Sequence, residues 1–176
     1  MLQRHCVCSA LPKVDNRTEV VILRHEIEAK KSTGTARIAE LVLSRVRILP
    51  HSVTPQQLEA LADDCWLLYP TGSESRPALT APQRLIVLDG TWVQSRHMLK
   101  KLPQLAALPW LSLPAKSAAP KRLRSSPNQD ARSTLEAIAD ALELLEGNAT
   151  SAPLHDAHKL FVESTLQARG SMAKVT

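Results

Sequence analysis

The run Leu85-Ile86-Val87-Leu88 shows no alternation of apolar and polar side chains, and it stops at Asp89, Gly90, Thr91 and Trp92. A strand with one wet face would alternate with period two, so this strand is expected to be covered on both faces, as in the middle of a parallel α/β sheet. The residue after such a strand stands at the carboxyl edge of the sheet, and open α/β folds hold their ligands in the crevice beyond that edge. Asp89 is therefore the first candidate for chemistry. Gly90 permits close backbone approach or a positive φ, and Thr91 can cap a helix running through His97, Met98 and Lys101. A purely structural alternative leaves Asp89 and Thr91 as caps and Trp92 as core.

The rest of the chain alternates short apolar runs with helical patterns. Glu19 to Arg24, with Val20, Val21, Ile22 and Leu23, reads as a strand followed by a polar segment from His25 to Thr35. Ile38, Leu41 and Val42 share one face of a helix over Thr35 to Ser44. Val46 to Leu49 is a second strand, closed by Pro50. Thr54-Pro55 starts a helix whose buried side is Leu58, Leu61 and Ala62. Cys65 to Tyr69 is a third strand, Gly72 to Pro82 an irregular connection, Leu85 to Leu88 the fourth strand and Trp110 to Leu113 a fifth. Ser133 with Glu136 forms a capping box ahead of Leu135, Ile138, Ala139, Leu142 and Leu145, and Gly147 ends that helix. A last helix is expected from about Pro153 to Gln167, with Leu154, Ala157, Leu160, Phe161 and Leu166 facing inward. No repeat or low-complexity spacer separates these pieces, so the fold class is α/β, a single domain with a mostly parallel sheet.

At 176 residues the chain can bury a sizeable core. No apolar run approaches the ~20 residues that cross a bilayer, and no secretory segment opens the chain, so a cytoplasmic protein with no membrane contact is expected. The net charge of +5 is unevenly spread: residues 84 to 132 hold nine basic and two acidic side chains, whereas residues 133 to 163 hold six acids and one lysine. Lys116, Lys121, Arg122, Arg124 and Arg132 are the densest basic group, suited to a polyanion or to a solvated loop. Aromatic residues make up only 3% of the chain, which argues against broad base stacking on single strands. Neither G-x-G-x-x-G nor G-x-x-x-x-G-K-[ST] is present, so the usual cradles for dinucleotides and nucleoside triphosphates are missing. Thr33-Gly34-Thr35, with Arg37 one turn in, suits a carboxylate or phosphate, or is simply a helix start.

Taken in order, VILRHEIEAKKSTGTARIAELVL, LLYP, LDGTWVQSRHML and RSTLEAIADAL resemble the DTW-domain family of tRNA-uridine aminocarboxypropyltransferases. The resemblance runs from about His5 to Phe161, and the namesake residues are Asp89, Thr91 and Trp92 with Gly90 between them. It implies a SPOUT-like fold with a C-terminal knotted region that binds S-adenosylmethionine. It further implies transfer of the 3-amino-3-carboxypropyl group to N3 of a tRNA uridine, with release of methylthioadenosine. Residues 19 to 170 would form the transferase domain, acting as a monomer or a homodimer.

Under that resemblance Asp89 is the base or the orienter of the N3 proton, Thr91 a partner for a ligand oxygen or for Asp89, and Trp92 a surface for uracil or for the donor. Leu67, Leu68, Tyr69 and Pro70 are implied to form one donor-binding loop and Ser133, Thr134 and Leu135 another, with Leu88 and Gly90 between them. Arg37 is offered as a clamp for the donor carboxylate or an RNA phosphate. Lys116, Lys121, Arg122 and Arg124 are offered for the RNA backbone, where neutralised phosphates add salt dependence without reading sequence.

Relatives of this type carry four N-terminal cysteines suited to zinc, whereas HCVCSALP keeps only Cys6 and Cys8. Four ligands close a structural zinc site, and His5 supplies at most a third here, so residues 1 to 18 are expected to be a truncated or degenerate segment without a stable intrachain metal site. Cys65 reads as a buried strand residue. Two other functions fit parts of the pattern: a SPOUT-like RNA methyltransferase, and an RNA-binding domain without catalysis.

Overall fold

The computed structural model describes residues 6–69, 81–114 and 132–173. Five parallel strands, β1 (Glu19–Arg24), β2 (Val46–Pro50), β3 (Cys65–Leu68), β4 (Arg84–Asp89) and β5 (Trp110–Leu111), form one sheet in the order β2-β1-β4-β3-β5. The helices are α1 (Glu26–Ala29), α2 (Ala36–Val42), α3 (Pro55–Glu59), α4 (Trp92–Lys101), α5 (Pro103–Ala107), α6 (Thr134–Glu146) and α7 (Asn148–Ala173). The five strands fall where the apolar runs place them, although β5 is two residues long and β3 stops before Tyr69.

Strand parity divides the core in two. Val20 and Ile22 of β1, with Leu85 and Val87 of β4, pack against Ala39 of α2, Ile138 of α6 and Phe161 of α7. Val21, Leu23, Leu67 and Ile86 point the other way, onto Leu58 of α3 and Leu105 of α5. Both faces of β1 and β4 are thus covered, which is why neither strand alternates in polarity. Each fully buried aliphatic side chain is worth about 1.5–3 kcal/mol, enough to fix which residues face which layer.

The ends of the two central strands fix their register. β1 runs from Glu19 to Arg24 and β4 from Arg84 to Asp89, and the pairing sets Glu19 opposite Arg84 and Arg24 opposite Asp89. Ion pairs close both ends, each at 3.1 Å. A slip of one residue would separate both pairs and turn the apolar set onto the wrong faces. By the same parity Arg24 follows Val20 and Ile22, and Asp89 follows Leu85 and Val87. Both side chains therefore emerge on the α2 and α6 side.

Beyond β1 the chain passes to α2 on that first layer, whereas beyond the adjacent β4 it passes through α4 to α5 on the second. Neighbouring strands whose connections leave to opposite layers open a crevice at their carboxyl ends, the switch point of doubly wound sheets. Arg24 and Asp89 stand at that point.

The last helix departs from expectation. α7 begins at Asn148 and carries Pro153 inside it, rather than starting there. Proline forfeits one helical hydrogen bond and costs ~3 kcal/mol in a helix interior. Ser151, Leu154, Ala157 and Phe161 are all buried across that position, and their packing outweighs the penalty. Gly147, at φ 94°, ends α6 and reverses the chain, as expected of a glycine past a helix end. At that corner the Glu146 carboxylate accepts the backbone N–H groups of Arg17 and Thr18, at 3.0 and 2.7 Å, and so ties the end of α6 to the start of β1.

Cys65 lies in the second core layer with 2% of its surface exposed, and burial pushes its thiol from 9.0 up to about 11. An unfolded chain would lose this proton near pH 9 while the native chain keeps it, so the thiol's contribution is whole below pH 9 and is lost as pH rises through 11. The expected result is a loss of up to ~2–3 kcal/mol between those limits, read from denaturant unfolding across pH, that Cys65→Ala no longer shows.

Candidate active site

Asp89 closes β4 with 5% of its surface exposed, and both of its carboxylate oxygens are engaged. Arg24 Nε donates to Oδ2 at 3.1 Å, and the Thr134 hydroxyl donates to Oδ1 at 2.6 Å. Thr134 is the first residue of α6, so the carboxylate also sits at the positive end of that helix. The backbone of the same site is pinned as well. The His25 N–H donates to the Asp89 carbonyl at 2.9 Å, and the Leu135 N–H donates to the hydroxyl of buried Thr35 at 3.3 Å. Three separated parts of the chain thereby meet at one carboxylate: the end of β1, the end of β4 and the start of α6.

Thr91 caps α4. Its hydroxyl accepts the Gln94 N–H while the Gln94 side chain accepts the Thr91 N–H, a complete capping box. The capping reading holds for Thr91 but not for Asp89, whose carboxylate turns toward Arg24 and Thr134. Gly90 is needed for close approach and not for a positive φ. A Cβ there would lie 3.1 Å from Gln94 Cβ and 3.2 Å from Met98 Cε, so the first turns of α4 pack directly on it.

Trp92 is not a core residue. It is 46% exposed, with Val93 beside it 68% exposed. Its ring meets Tyr69 edge-on at 6.2 Å, and Tyr69 in turn meets Trp110 at 5.4 Å. This aromatic row follows β3, β4 and the start of β5 at the carboxyl edge. Burial pushes the Tyr69 hydroxyl above its ordinary range, with Arg96 opposing weakly.

The expected donor-binding loops need one correction. Leu67 and Leu68 are the last residues of β3, not loop residues, and they point into the two core layers. Their continuous apolar character fits a doubly covered strand. Tyr69 follows the strand, its N–H donating to the Leu111 carbonyl at 3.1 Å, and Leu88 packs on the second layer. Ser133 caps α6 through the expected box with Glu136, and its hydroxyl lies 3.0 Å from His158 Nε2. Leu135 is fully buried. Pro70, Lys116, Lys121, Arg122 and Arg124 lie outside the described residues.

Arg37 is exposed on α2. Its charge helps hold the Cys6 thiol below the ordinary value, after the larger effect of hydrogen bonds from Cys8, while the shared hydrogen bond raises Cys8. Arg132 is not a free cation. It donates to Asp140 at 2.6 Å, so its charge serves the fold. Asp140, Glu143 and His155 bring ligand atoms within 4.8 Å of one another. Asp140 is already paired there with Arg132, and its other oxygen lies 3.2 Å from His155 Nε2.

Sequence reasoning passed over Arg24. The signal was present in EVVILR and RLIVLD, two six-residue runs with opposite charges at both ends. Side by side and parallel, they bring the terminal arginine onto the terminal aspartate.

The fold and this site define a doubly wound α/β domain with a polar centre at its switch point. The chain belongs to the DTW-domain family, whose model matches residues 1–166. It is similar to tRNA-uridine aminocarboxypropyltransferase 2 of Drosophila melanogaster, 30% identical over 156 residues that cover 80% of this chain. The match spans 62% of that relative's length. No solved structure matches the chain. Among the described residues no helix is long and apolar enough to cross a membrane.

Proposed function

We propose that the chain is a tRNA-modifying transferase that moves the 3-amino-3-carboxypropyl group of S-adenosylmethionine to N3 of a uridine, leaving methylthioadenosine. The observation that carries this reading is the constellation at Asp89, inside the motif that names the family, at the crevice where a parallel α/β sheet holds its ligands. The relative's name supplies the reaction class. The SPOUT-like knot belongs to the same reading.

The chemistry asks little of the protein beyond alignment. The bond from sulfur to the γ carbon breaks, the bond from N3 to that carbon forms, and the N3 proton leaves. A sulfonium is a good leaving group by itself. What remains is to hold N3 in line with the carbon, and such positioning supplies several kcal/mol of a barrier. Asp89 uses one lone pair on each oxygen for Arg24 and Thr134, and a carboxylate has about four such sites. We assign the remaining capacity to the N3–H, with solvent as the final proton acceptor. Trp92 then offers its exposed face to the base, and Tyr69 with Ser133 and Thr134 borders the donor. Arg122 and Arg124, with Lys116 and Lys121, would meet the RNA backbone.

Incubation of the purified chain with unmodified tRNA and S-adenosylmethionine, followed by nucleoside mass analysis, tests the proposal. A uridine heavier by one aminocarboxypropyl group is the expected product. A uridine heavier by one methyl group would establish the methyltransferase instead, and tRNA bound but unchanged would establish a binding domain.

A further inference from the structure

Arg24 carries hydrogen-bonding capacity that the fold does not use. Its Nε is spent on Asp89, yet Nη2 is buried and has no hydrogen-bond partner among the described residues. More than about nine in ten buried polar groups in folded proteins are paired, and an unmatched buried donor on a charged group is costly. The acid of β1 does not answer it. Glu19 stands at the opposite end of the strand and is held by Arg84 and Arg47. The Thr134 hydroxyl is committed to Asp89. A cation held by one carboxylate where β1 and β4 end, with a second, buried donor unfilled, is built to receive another anion.

We infer that Arg24 Nη2 binds the carboxylate on the amino-acid arm of S-adenosylmethionine. This rests on the transferase reading and assigns to Arg24 the clamp that the sequence offered to Arg37. The guanidinium suits the task because its planar fork matches a carboxylate, and charge-assisted bonds of this kind are about twice as strong as neutral ones. The arrangement also bears on which carbon is transferred. Asp89 orients the nucleophilic nitrogen, and Arg24 is fixed to Asp89. A carboxylate seated on Arg24 therefore ties the γ carbon, two bonds from the carbon that bears the carboxylate, to the same frame as N3. The methyl group, on the far side of sulfur, has no such tether.

Calorimetric titration with S-adenosylmethionine and with its decarboxylated analogue isolates the carboxylate, because the analogue keeps the sulfonium, the amine and the nucleoside. The wild-type chain is expected to prefer S-adenosylmethionine by about 10- to 100-fold. Arg24→Gln is expected to bind the two compounds equally, and Arg24→Lys to retain part of the preference through its charge. Circular dichroism establishes that each variant is folded, and the lysine variant carries the test if the glutamine variant is not. A folded Arg24→Gln that keeps the wild-type preference, or a folded Arg24→Lys with the full preference should the glutamine variant not fold, overturns the inference. So does a wild-type chain that binds both compounds equally. A wild-type chain that binds neither compound overturns the transferase reading beneath it.

Discussion

Asp89→Asn is expected to lower turnover by ~100-fold or more while leaving the chain folded and able to bind donor and tRNA. The amide has the same shape as the carboxylate. Its oxygen can accept from Arg24, and its NH2 group can face a Thr134 hydroxyl turned to accept, so the contacts at 3.1 and 2.6 Å have partners in the variant. What the variant lacks is charge and spare acceptor capacity for the N3–H. Loss of one positioning contact at a reacting centre costs on the order of 100-fold. The same exchange leaves the mostly buried Arg24 without a counter-charge, for which we expect about 1–3 kcal/mol of lost stability, less than the ~3–5 kcal/mol of a buried pair broken outright. The measurement is kcat and KM for tRNA and donor beside a thermal melt. A fall in kcat with little change in KM assigns Asp89 to the reaction. A melt shifted to the same extent with normal kcat would leave it as a structural ion pair.

Leu135→Ala is expected to have the largest effect on stability. Leu135 is fully buried in the layer shared by α2, α6 and α7, and its N–H reaches Thr35. Truncating a buried leucine costs about 2–5 kcal/mol, from lost burial and the cavity left behind. For a chain of this size that is a drop of roughly 5–15 °C in melting temperature. The residue before it, Thr134, holds Asp89, so loosening the first turn of α6 is also expected to weaken the site. Denaturant unfolding should show a lower midpoint with the same slope. An unchanged midpoint would mean that the start of α6 contributes little to the core.

Much of the sheet was legible because burial on both faces leaves a direct mark: VVIL and LIVL carry no polar residue at all. The ends of α3, α4 and α6 were also readable. Thr54, Thr91 and Ser133 each stand three residues before a Gln or Glu, and each forms a full capping box. The start of α7 was hidden. Pro153 looks like a first-turn residue, and only packing of Ser151 and Leu154 against other elements reveals that the helix begins earlier. Leu67 and Leu68 were placed in a loop by resemblance, although their own apolar continuity argued for strand. At the site, Asp89 could be singled out from its position after an apolar run. Its partners could not, since the pairing with Arg24 spans 65 residues and that with Thr134 spans 45. Contacts of that length depend on strand order and on where α6 begins, which periodicity does not encode. The ion pair of Arg132 is hidden for a related reason: a cation in a basic stretch is satisfied by Asp140, a residue of the acidic helix that follows.

A crystal structure of the chain with S-adenosylmethionine bound shows where the donor sits relative to Asp89 and Arg24. The amino-acid arm of the donor is expected in the crevice between β1 and β4, its carboxylate on Arg24 and its γ carbon facing the space before Asp89 and Trp92. A donor seated along another edge of the sheet, with Asp89 still closed behind Arg24 and Thr134, would contradict this placement.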